Sequence, residues 1–103
     1  MKLPKTLQIC GKTYKITTNN KVGGAWFSCN KQMIELGTRD SKERQLASLI
    51  HEIMEIVMVE REYRFQTSVL EPENGDYMFV FCHKGYEIIA EDVANVIRQI
   101  YGN

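Results

Sequence analysis

In the run Leu49-Ile50-His51-Glu52-Ile53-Met54-Glu55-Ile56-Val57, one imidazole and two carboxylates interrupt an otherwise apolar stretch. At helical pitch, positions i and i+4 lie nearly above one another, so His51 and Glu55 project from one face and can grip a divalent ion together. Glu52 stands about a hundred degrees round the axis. In helical HExxH zinc sites that position reaches the metal's water rather than the metal and acts as its general base. The same spacing equally describes a solvated i, i+4 ion pair on a wet face, with Glu52 as one more surface carboxylate.

A catalytic zinc site usually takes three protein ligands and leaves one position for water, so a third ligand must come from elsewhere in the chain. His83 is the best candidate: it is the only other histidine, it falls where a strand gives way to the last helix, and neutral imidazole suits zinc. Glu87, one turn further on, and Glu91 are the next choices. Taken alone, His83 also reads as a histidine satisfied near a helix start. A fourth ligand from Glu87 or Cys82 would make a closed, structural zinc site instead.

These residues need elements to hold them. LQICG, TYKITT, AWFSC and QMIEL alternate in the manner of short strands, interrupted at Asn19-Asn20 and Gly23-Gly24, with a tight turn at Cys29-Asn30-Lys31-Gln32. They predict a small antiparallel β-meander. Asp40 followed by Glu43 is a capping-box variant that starts a helix. Leu46, Leu49, Ile50, Ile53 and Val57 then draw one apolar stripe to a helix end near Arg61 or Glu62. YRFQTSVL and DYMFVFC flank the turn Pro72-Glu73-Asn74-Gly75 and read as a β-hairpin, with Tyr77, Phe79 and Phe81 on one side for packing. Ile88, Ile89, Val93, Val96, Ile97 and Ile100 line one face of a closing helix. The fold class is α+β, one domain over residues 1–103.

Bulk composition narrows the function classes. Of 103 residues, 44% are hydrophobic and 25% charged, the profile of a chain that folds. Lys plus Arg equals Asp plus Glu at 13 each, without runs of like charge, which argues against nucleic acid as a partner. Neither a membrane span nor a signal peptide is visible, and the three widely spaced cysteines, Cys10, Cys29 and Cys82, suit free, mostly buried thiols in a reducing compartment. A cytoplasmic protein is expected.

QMIEL followed by ERQLASLIHEIMEIV, and more loosely FVFCHKGYEIIAEDVANVI, resembles the minimal zincin-like metallopeptidases, including the ImmA/IrrE-like proteins of phages and mobile elements. The likeness spans about two-thirds of the chain and rests on one short motif. It implies one zinc ion, water attacking a peptide carbonyl, a ligand at His51 and a base at Glu52. The sequence departs from the family pattern at Glu55, a carboxylate where HExxH has its second histidine, and His83 would stand in for the family's downstream acidic ligand. Zinc held by His51, Glu55 and His83, with Glu52 as base and a protein or peptide as substrate, is therefore the leading expectation. The alternative is a non-catalytic module that keeps this architecture and binds a partner protein, as an inhibitor or regulator of a host or phage factor.

Overall fold

Two short strands, β1 (Thr6–Ile9) and β2 (Lys12–Asn19), begin the chain in the computed structural model, which describes residues 3–66 and 77–102. They pair antiparallel with Ile9 opposite Lys12, so Cys10 and Gly11 alone make the turn. Both have positive φ, 51° and 79°, the backbone that two-residue hairpin turns require. Strands β3 (Ala25–Ser28) and β4 (Met33–Gly37) form a second antiparallel hairpin around the expected turn at residues 29–32.

The four strands do not follow one another as a meander. Their order is β1-β2-β4-β3, and β2 runs parallel to β4. The reason lies in the glycines where the β2–β3 connection meets the end of β4. After Asn19 the chain crosses over the end of β4, where the Gly37 N–H donates to Gly24 O at 2.7 Å and the Arg39 N–H donates to Val22 O at 3.1 Å. A Cβ on Gly37 would stand 2.5 Å from Val22 O, and one on Gly23 would stand 2.6 Å from the Asp40 carboxylate. At Gly37 the neighbours are backbone and leave no room for a side chain, and the crossing leaves β3 as an edge strand.

Helix α1 (Lys42–Glu60) follows. Its N-cap is Ser41, whose side chain accepts the Arg44 N–H at 3.3 Å, and not Asp40. Asp40 is engaged elsewhere, accepting the Gly24 N–H at 3.0 Å. The buried face of α1 is also turned from the expected stripe: Leu49, Ile53, Ile56 and Val57 are fully buried, whereas Leu46 and Ile50 are only partly covered. At its C-terminus Glu62 takes a left-handed φ of 62°, the Glu62 N–H donates to Val59 O and the Tyr63 N–H to Met58 O. This Schellman closure turns the chain directly into the next strand.

That strand, β5 (Arg64–Gln66), pairs antiparallel with β6 (Tyr77–Phe79), as a hairpin requires. The turn expected at Pro72–Gly75 lies outside the described residues. Helix α2 (His83–Tyr101) closes the fold, burying Ile89, Val96 and Ile100 with Val93 and Ile97 partly covered. Both helices share one core with Leu7, Ile9, Tyr14, Ile34 and Leu36 of the sheet, and α1 touches β1, β3 and β4 while α2 packs on β1 and α1. The α+β class read from the sequence is the observed one. No helix among the described residues is long and apolar enough to cross a membrane.

Candidate metal centre

His51, Glu52 and Glu55 each offer a ligand atom within 4.8 Å of the others, a group that could hold a metal ion. The helix supplies the convergence. His51 Nε2 lies 3.3 Å from Glu55 Oε2 one turn away, and His51 Nδ1 lies 3.0 Å from Glu52 Oε1. Exposure falls steeply across the three: the His51 side chain is 66% exposed, Glu55 20% and Glu52 10%. Glu52 is thus the buried member, carried inward because the core-facing side of α1 runs through Leu49 and Ile56 beside it. Burial, reinforced by the Glu55 charge, pushes its pKa above the ordinary carboxylate value, although His51 and Arg64 pull the other way.

Two features bear on whether these residues fit a metal. One nitrogen and two or more oxygens form a donor set that zinc accepts. Two ligands of one tetrahedral zinc at about 2.1 Å stand about 3.4 Å apart, close to the spacings seen here. The present contacts use opposite nitrogens of one ring, so the imidazole must turn to give a single nitrogen to an ion shared with both carboxylates. The three residues are a group that could hold a metal ion.

His83 is not part of the group. It is the first residue of α2, its side chain is 84% exposed, and its Nδ1 lies 3.4 Å from Glu87 Oε1 on its own helix. Glu91 lines a different groove, bordered by Gln8, Cys10, Glu60, Arg61 and Asp92, which shares no residue with those around His51. Cys82, expected as a core residue, is exposed as the N-cap of α2, and the N–H groups of Gly85 and Lys84 lower its pKa. Cys10 and Cys29 are free and partly buried.

A residue that the spacing did not suggest completes the site. Arg64 of β5 donates from Nη1 to Glu55 Oε1 at 3.1 Å, and its guanidinium stacks 3.8 Å from the Tyr77 ring centroid, with Phe27 at 5.6 Å on β3. An arginine between two aromatic residues at the end of the helix was the only available signal, and its partners depend on how β5, β6 and β3 meet. Between β3 and α1 runs a groove of about 440 Å³, bordered by Ala25 to Asn30 on one side and by Glu52, Glu55, Arg64 and Tyr77 on the other. A second recess, bordered by Gly24, Asp40, Arg44 and Ser48, opens on the other side of His51 and Glu52.

No protein-family model, curated protein or solved structure matches this chain.

Proposed function

We propose that the chain is a small zincin-like zinc protein that hydrolyses a peptide bond, with His51 and Glu55 holding the ion and Glu52 taking the proton. The observation that carries this reading is the convergence of one imidazole and two carboxylates on α1, beside a groove whose far wall is an edge strand. When bound, zinc would supply a Lewis acid that lowers the pKa of water and polarises a carbonyl. Glu52 suits the proton's role because a carboxylate raised toward neutrality is a stronger base and a better donor to the leaving amine. Among the described residues no strand pairs with the outer edge of β3, and such an edge is the surface on which an extended peptide adds as a further strand.

His51 and Glu55 are two donors where catalytic zinc usually has three, so Glu52 either serves as base or completes the donor set. The Glu52→Gln protein separates these roles. Zinc content equal to wild type with loss of peptide cleavage supports the base. Zinc lost together with cleavage makes Glu52 a ligand, and cleavage at the wild-type rate overturns its part in the reaction.

A non-catalytic protein-binding role on the same fold has its own support. Phe65, Met78, Val80 and Tyr86 are 48 to 60% exposed around β5, β6 and the start of α2, an apolar surface of the kind that partners cover. Partner binding that survives both chelation and His51→Ala would favour this second role.

A further inference from the structure

The two oxygens of Glu55 face different partners. Oε1 accepts from Arg64 Nη1 at 3.1 Å, while Oε2 faces His51 Nε2 at 3.3 Å. Arg64 is itself held from two sides, stacked on Tyr77 of β6 and lying over Phe27 of β3, with its side chain only 20% exposed. A planar guanidinium clamped between rings loses little further freedom when it grips a carboxylate. Glu55 lies on α1 with its side chain equally covered, and without Arg64 its carboxylate would have no partner at Oε1 to fix its rotamer, so that it could turn Oε2 away from His51.

We propose that Arg64 is a positioning residue that fixes the Glu55 carboxylate so that Oε2 alone is presented, beside the His51 imidazole, to a divalent cation. The inference rests on the reading that this group holds zinc. It assigns to Arg64, and through it to Tyr77, the supporting contact by which an outer residue orients a metal ligand. Charge alone predicts the opposite effect, since a cation beside a dication's site repels it and its removal would tighten binding. The sign of the change therefore decides between orientation and competition.

The test is calorimetric titration of zinc chloride into chelator-stripped full-length protein, for wild type and for Arg64→Ala, Arg64→Lys and Tyr77→Leu. Loss of an outer contact typically weakens metal binding by about 10- to 100-fold, and Arg64→Ala is expected in that range. Arg64→Lys, which keeps a donor for Oε1, should recover part of the affinity, and Tyr77→Leu should lose less than Arg64→Ala. Metal-free melting curves report whether each variant folds; where Arg64→Ala does not, the lysine and Tyr77 variants carry the test. Wild-type affinity or tighter in the Arg64 variants overturns the proposal while leaving the zinc reading intact. A wild-type protein that takes no zinc overturns both.

Discussion

At the C-terminal end of α1, Arg61 closes on Asp92 of α2 through hydrogen bonds of 2.7 and 3.0 Å, and Glu60 meets Lys12 at 2.8 Å. Nearby, the Gln99 side chain bonds Gln8 both ways, accepting from its N–H at 2.7 Å and donating to its carbonyl at 2.8 Å. Every cation in this cluster has its own anion, and the contacts tie β1, β2, α1 and α2 together. Further back along the same helix the arrangement is uneven. Glu52 and Glu55 share one imidazole and one guanidinium, and the deeper carboxylate is the one without an arginine. Burying an acid without its own cation costs stability. The contacts of the first cluster pair off across the layers of the fold, whereas in the second two carboxylates crowd one imidazole and one guanidinium. That difference is the reason to look for a cation at His51 and not at Asp92.

The comparison can be broken most forcefully with zinc itself. A metal that binds only the folded chain, at a free concentration of a hundred times its Kd, stabilises it by about 2.7 kcal/mol, a rise in Tm of roughly ten degrees or more for a domain this size. Scanning calorimetry should show that rise in wild type and in Arg61→Ala, and lose it in His51→Ala.

A smaller effect of the opposite kind is expected from the balanced cluster. Arg61→Ala removes a two-bonded but partly exposed pair, worth about 1 kcal/mol, so the metal-free protein should melt roughly 4–8 °C lower while its zinc affinity stays at the wild-type value. A loss of zinc affinity in Arg61→Ala would mean that the two clusters are coupled.

The smallest effect concerns Glu52 without metal. Its folded pKa lies above the ordinary 4.5, so the folded state holds the proton more tightly than the unfolded chain does. The stability contributed by protonated Glu52 is complete at acid pH and is lost as the pH rises from the unfolded value through the folded one. In chelator, Glu52→Gln should therefore melt above wild type at pH 7, and the gap should narrow on acidification into the ordinary carboxylate range. A gap that stays constant with pH would show that Glu52 carries no excess proton affinity.

Much of this was legible in the sequence where local rules act alone. The α1 and α2 periods, the β3–β4 hairpin and the i, i+4 pair of His51 and Glu55 follow from spacing and turn chemistry. The parallel pairing of β2 with β4 was not legible, because it depends on Gly37 lying under Val22 and Gly23, contacts that strand alternation does not encode. Asp40 and Ser41 are both good caps, and only the distant Gly24 N–H decides which of them is free to act. Glu52 was singled out by its place in the motif, but its burial was not legible, because the buried face of α1 is shifted toward Ile56 by the way the helix meets the sheet. His83 was chosen as the second histidine at the junction of strand and closing helix, where it does stand, but that it lies apart from His51 depends on how α2 sits against α1, which local spacing does not encode. Arg64 escaped notice for the same reason, since its partners Glu55, Tyr77 and Phe27 come from three different elements.

Zinc content bears on the whole reading at once. Wild type, His51→Ala, Glu55→Ala and His83→Ala would be loaded with zinc, desalted and assayed by mass spectrometry for metal per chain. Near one zinc per chain in wild type and His83→Ala, with loss in His51→Ala and Glu55→Ala, is the predicted result. Zinc-free wild type, or His51→Ala retaining as much metal as wild type, would contradict it.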